Sequence, residues 1–245
     1  MPVIEPILKA EGVPDDFKYL SLIESGYTQT VSPAGATGFW QLLKSTGKEY
    51  GLEVNGEVDE RYHVERATVA ACTYLKEAKA RFGSWTAAAA SYNMGMKGYE
   101  RQTERQQTTD YYNLVLNAET KRYLFRILAI KTILAKPDAY GFNVRPKDKY
   151  PPIETQTVVL DSSVANFADW AHMLGINYKV LKLHNPWLRD NVLNNKEGKA
   201  YSIKLPADLE LPEFPEPASL APDSIEFGGK KVKTVKAVDG AREKR

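Results

Sequence analysis

The chain has 245 residues, 43% hydrophobic and 26% charged, an ordinary globular balance, and no apolar run reaches the roughly 18 residues a spanning helix needs. Its net charge of +2 is split between −6 over residues 207–229 and +5 over 230–245. The remainder is therefore nearly neutral, and the basic tail lacks interleaved aromatics, which argues against a nucleic-acid-binding protein.

Residues 1–142 read as helical. Asp15 and Asp16 can cap a helix running through Phe17, Leu20 and Ile23, with Gly26 as its stop. Ser32-Pro33-Ala34-Gly35-Ala36-Thr37-Gly38 is a loop by composition, and Phe39 to Tyr50 is predicted helical, ending at Gly51. Apolar residues recur at helical spacing from Glu65 to Phe82, and again from Glu119 to Ala135 before Pro137. Between them, the alanine-rich stretch Thr86–Met94 reads as a short buried helix. The character changes near Tyr150-Pro151-Pro152. A strand at Thr155–Leu160, helices at Ser163–Leu174 and Tyr178–His184, and a strand at Tyr201–Leu205 form a β-α-α-β order. Prolines at 212, 215, 217 and 222 then point to an extended linker. The expected organisation is a helical domain over 1–148, a small α/β module over 149–208, and a flexible linker and tail over 209–245.

Cys72 is the only cysteine, so no intrachain disulfide forms. His63, His172 and His184 have no metal-ligand spacing, and neither a metal nor another cofactor is expected. The segment Met1–Glu5 lacks a basic stretch followed by an apolar one, so no signal peptide is expected in this chain.

Glu24 stands in the last turn of its predicted helix, among Tyr19, Leu20, Leu22 and Ile23. The negative end of the helix dipole and the apolar neighbours both disfavour the carboxylate and push its pKa up. An acid kept protonated near neutral pH is what glycosidic cleavage asks of a proton donor. On this pattern alone an ordinary surface glutamate is the commoner reading.

Three segments in order add to it: Ile23-Glu24-Ser25-Gly26-Tyr27, Ser32–Gln41, and Ala90-Ser91-Tyr92-Asn93-Met94-Gly95. With Val58–Thr68 and Glu119-Thr120-Lys121-Arg122-Tyr123, they resemble the soluble-lytic-transglycosylase (goose-lysozyme-like) family, in its membrane-bound lytic transglycosylase D branch. Phe39 and Ser91 are mild departures from that family's pattern. The resemblance covers residues 5–135 and implies a lysozyme-like helical catalytic domain. Residues 149–208 resemble a LysM module, which implies a glycan-binding or a purely structural role.

The resemblance implies that Glu24 protonates the oxygen between N-acetylmuramic acid and N-acetylglucosamine. Glu24 then serves as base for the muramic C6 hydroxyl, which closes a 1,6-anhydro ring. No second acid lies within the three core motifs, although Asp59, Glu60 or Glu119 could come close in the fold. Ser25 would bind substrate or steady Glu24, Gln41 would line the cleft, and Asn93 would position substrate. Tyr92 would hydrogen-bond the Glu24 carboxyl. Phe39 and Trp40 would wall the sugar rings or pack in the core, and Tyr123 would close the cleft or pack. The implied partner is peptidoglycan, in the periplasm or cell envelope, with membrane association only through a segment upstream of residue 1 and the chain acting as a monomer. A lysozyme-like hydrolase and a non-catalytic glycan-binding scaffold are the alternative readings.

Overall fold

The computed structural model describes residues 1–211 and 233–235. It is mainly α-helical, and its contacts divide the chain into two compact units. The first holds Met1–Val54 and Glu60–Tyr150, and the second holds Asn55–Asp59 and the chain from Pro151 onward.

In the first unit the helices are α1 (Ile4–Ala10), α2 (Phe17–Ser25), α3 (Lys44–Glu49), α4 (Val64–Phe82), α5 (Trp85–Met94), α6 (Met96–Gln106) and α7 (Ala118–Ala135). Helix α4 is the hub. It buries Ala67, Ala70, Ala71, Leu75, Ala78 and Phe82, a three-and-four spacing that makes one continuous apolar face. Helix α5 packs against α4, α6 and α7, and its four consecutive buried alanines, Ala87, Ala88, Ala89 and Ala90, keep it small on nearly every side. The hydroxyl of Ser84 caps α5 by accepting from the Ala87 N–H (3.1 Å), and Asn117 caps α7 by accepting from the Thr120 N–H (2.8 Å). Helix α7 then crosses both α5 and α2.

Three local expectations differ. Asp16 occupies the cap position of α2 but makes no cap hydrogen bond, and its carboxylate pairs instead with Lys131 at 2.6 Å. Asp15 pairs with Lys18. The predicted helix over Phe39–Tyr50 shortens to Lys44–Glu49, because Thr37 bridges both Val31 and Leu42 and the chain between must turn tightly. Helices α1 and α6 lay outside the predicted elements. Helix α6 is mostly polar and buries only Gly98, Tyr99 and Thr103, so its apolar stripe is thin.

In the second unit, β1 (Thr155–Leu160) pairs antiparallel with β2 (Tyr201–Pro206), Val158 opposite Ile203. Helices α8 (Phe167–Met173) and α9 (Tyr178–His184) lie between them in sequence, the first starting four residues later than predicted, at the Asn166 cap. Phe167, Leu174, Leu181, Ile203 and Leu205 form the core of this unit with Val158 and Leu160. From residues 55–59, Val58 bridges Leu188 and the Asp59 N–H donates to the Trp187 carbonyl at 2.9 Å. Lys182 is caged, donating to the Leu188 carbonyl (2.7 Å) and that of Asp190, with the Phe167 ring centroid 5.2 Å away. A third strand, β3 (Lys233–Val235), adds parallel to the free edge of β1, within what the sequence suggests is a flexible tail. The rest of the predicted linker and tail beyond residue 211 lies outside the described residues.

Asn185 is fully buried and ties α9 to β2: its amide donates to the Leu181 (3.0 Å) and Lys204 (2.7 Å) carbonyls and accepts from the Lys204 N–H (2.8 Å). Asn185→Ala orphans these groups and is expected to destabilise this unit by about 3 kcal/mol, read from urea unfolding curves.

Candidate active site

Helix α2 ends at Ser25, and Gly26 takes the left-handed conformation (φ 62°) that closes it, so Glu24 is held in the last turn. From α7, the fully buried Tyr123 donates its hydroxyl hydrogen to the Glu24 carboxyl. Burial raises the Glu24 pKa above the usual carboxylate range, and the nearby Glu119 adds to this; the Tyr123 hydrogen bond and the Arg126 charge pull the other way. The Tyr123 hydroxyl is itself pushed well above the usual phenol range, by burial first and the neighbouring acid next, so it stays a donor.

Ser25 faces the loop. Its hydroxyl contacts the Phe39 carbonyl at 2.9 Å and the Ser21 carbonyl at 3.2 Å, and accepts from the Tyr27 N–H at 3.1 Å. The hydroxyl of Ser21, itself buried, also donates to the Phe39 carbonyl, at 2.9 Å. One carbonyl thus fastens the end of α2 to the 32–42 loop, and Ser25 steadies the backbone beside Glu24.

Arg61 holds the same loop from within, donating to the carbonyls of Gly35 (3.0 Å) and Leu42 (3.1 Å). Gly38 has φ 77°, and a Cβ there would stand 2.2 Å from the Arg61 carbonyl oxygen. Gln41 also adopts a left-handed conformation (φ 47°), unusual for a residue with a side chain. Its amide nitrogen bonds the carbonyls of Gly38 (2.9 Å) and Thr30 (3.1 Å), which holds the turn and leaves the amide oxygen as the end it can offer a ligand.

The aromatic residues divide. Trp40 is fully buried and its indole N–H donates to the Thr68 hydroxyl at 2.8 Å, so it is core and not a wall for sugar rings. Phe39 is half-buried beside Tyr27, with ring centroids 5.8 Å apart. Tyr92 does not bond Glu24 as expected: its hydroxyl donates to the Trp40 carbonyl at 2.6 Å, because Trp40 presents an acceptor under α5. Tyr123 makes the bond to the acid instead.

Asn93 donates to the Glu119 carboxylate (3.1 Å) and accepts from the Thr120 hydroxyl (2.7 Å). Glu119 and Arg126 were not among the predicted site residues, although the spacing of 119, 123 and 126 on one helix was visible. Ser91, one of the family departures, is buried with its hydroxyl satisfied by the Ala88 carbonyl at 2.8 Å. A concavity of about 950 Å³ lined by Pro2, Pro6, Lys9 and Pro14 shares no residue with these groups. Cys72 is buried and its thiol pushed up to about 12, which makes it a poor nucleophile. Among the described residues no group of three or more His, Cys, Asp or Glu is placed to hold a metal ion.

Residues 1–115 match the model of the transglycosylase SLT domain, and residues 156–209 that of the soluble lytic transglycosylase C-terminal LysM-like domain. The chain belongs to the lytic transglycosylase family. It is 31% identical over 192 residues to membrane-bound lytic murein transglycosylase D of Escherichia coli (strain K12), an alignment covering 76% of this chain and 42% of that protein. The protein of the same name from Escherichia coli O6:H1 gives the same figures. The chain therefore spans less than half the length of these lytic transglycosylases. Among solved structures, an inactive mutant of the lytic transglycosylase Slt from Pseudomonas aeruginosa aligns with a TM-score of 0.42 and 19% identity, covering 61% of this chain and 26% of that one. Among the described residues no helix is long and apolar enough to cross a membrane.

Because Gly38 abuts the Arg61 backbone, Gly38→Ala is expected to destabilise the first unit by roughly 3 kcal/mol or more, measured by chemical denaturation.

Proposed function

We propose that the chain cleaves the β-1,4 bond between N-acetylmuramic acid and N-acetylglucosamine in peptidoglycan without water, leaving a 1,6-anhydromuramic end. The observation that carries this reading is the Glu24 carboxyl, half-buried, raised in pKa and met by the hydroxyl of Tyr123.

Held protonated by burial, Glu24 gives its proton to the bridging oxygen as the bond to C1 breaks and N-acetylglucosamine departs. The new carboxylate keeps the hydrogen bond from Tyr123 and lies in the field of Arg126, both of which favour its charged form. It then takes the C6 hydroxyl proton as that oxygen bonds to C1, which restores the acid. The nucleophile belongs to the substrate, so no activated water is required.

Around this centre, Ser25, Gln41, Asn93, Tyr92 and Tyr123 act by holding the acid, its loop and the sugar in register, and Phe39 offers the apolar surface. The Gln41 amide oxygen is the group best suited to accept from a sugar hydroxyl or amide. Residues 156–209, with their LysM-like match, would hold the enzyme on its polymer and raise the local substrate concentration. Such work belongs in the cell envelope, where peptidoglycan lies.

A second reading rests on Glu119, a further carboxylate within electrostatic reach of Glu24. In a lysozyme-like hydrolase it would activate water.

Mass spectrometry of the soluble products from peptidoglycan sacculi separates the two. Non-reducing muropeptides lighter by one water are expected, falling on the order of a thousandfold in Glu24→Gln. Glu24-dependent products with reducing ends would establish the hydrolase. Binding to sacculi with no product would leave a scaffold.

A further inference from the structure

Helix α7 carries three polar groups toward the acid. Residues 119, 123 and 126 are spaced four and three apart, so they share one face of the helix. The middle one, Tyr123, holds the Glu24 carboxyl directly. The C-terminal one, Arg126, donates to the carbonyl of Ile23 at 3.3 Å. That carbonyl belongs to the residue before Glu24, at the negative end of α2 where a cation is favoured. The N-terminal one, Glu119, is fixed from α5 by the amide of Asn93 at 3.1 Å, and Asn93 is itself locked by the Thr120 hydroxyl at 2.7 Å.

We propose that Glu119 and Arg126 are opposed positioning residues for Glu24, one turn to either side of Tyr123, which together set the balance between its protonated and ionised forms. The proposal rests on the reading of Glu24 as the proton donor. A transglycosylase acid needs both forms in one turnover, protonated before the bond breaks and ionised after it. A lone buried carboxyl would strongly favour the first. Glu119 favours the protonated form by repulsion, and Arg126 favours the ionised form by attraction. The other titratable groups facing Glu24 are Tyr123 from α7 and Tyr92 from α5. Both hydroxyls are raised well above the usual phenol range by burial, so they remain neutral while Glu24 titrates.

The test uses the full chain. Activity on sacculi falls as pH rises through the Glu24 pKa, so the alkaline limb of the rate profile reports that pKa. Glu119→Gln keeps an acceptor for Asn93 but removes the charge, and is expected to move the limb to lower pH. Arg126→Gln is expected to move it to higher pH, and Arg126→Lys to return it toward the wild-type position. Each shift is expected to be about half a unit or more. Carbon-13 NMR titration of the Glu24 carboxyl should reproduce both shifts without any turnover. Coincident titrations in all variants, or shifts of one sign in both Gln variants, would overturn the proposal. Loss of activity in Glu119→Gln with an unshifted Glu24 titration would do the same and make Glu119 a direct base. Should the wild-type chain release nothing from sacculi, the functional reading fails, and the NMR shifts alone still decide the coupling.

Discussion

One backbone carbonyl, that of Phe39, accepts from two serine hydroxyls of α2 and thereby joins the helix that carries the acid to a loop with almost no regular structure. A carbonyl has two lone pairs, and here both are used on one helix, which fixes distance and direction together. The loop is held further by bonds of its own and of its neighbours. Arg61 supplies two donors from inside, Gly38 allows the Arg61 backbone to come close, and Trp40 anchors to Thr68 of α4. Remove the Phe39 contact and the end of α2, with Glu24 in its final turn, keeps its bonds from Tyr123 and Arg126 of α7 but loses its tie to the loop. Polar bonds thus join α2 to the loop above an apolar core that includes Leu20, Trp40 and Leu42.

The electrostatics follow from the same arrangement. A helix C-terminus and partial burial both resist a negative charge, yet the proposed reaction requires one for part of each turnover. The conflict is resolved by groups outside α2. Tyr123 is close enough for a hydrogen bond, whereas Arg126 and Glu119 act through space with opposite signs. Locating the modifiers on a separate helix lets the acid be tuned without altering the turn that holds it.

Much of this was legible in the sequence where a single strong signal existed. The 3.6-residue periodicity of α4 and α7, the glycine after α2, and the order of elements in the second unit all follow from local patterns with one dominant cause. Glu24 stood out as a candidate because a family motif surrounds it. The failures share a different cause. The 39–43 stretch has helical composition but turns because Thr37 pairs with Leu42, a partner choice that composition does not encode. Asp16 has the chemistry of a cap but finds a stronger partner in Lys131, far along the chain. The exchange between Tyr92 and Tyr123 is similar: either hydroxyl suits a carboxyl, and which one reaches Glu24 depends on how α5 and α7 cross.

The four buried alanines of α5 carry a consequence for how such a chain can vary. All are buried, and a larger side chain among them would push α5 away from one of the helices packed round it. On the same short helix ride Tyr92 and Asn93, and through Asn93 the orientation of Glu119. A methyl group added to one of these alanines would therefore be felt at Glu24, through the shift it forces on Asn93 and Glu119.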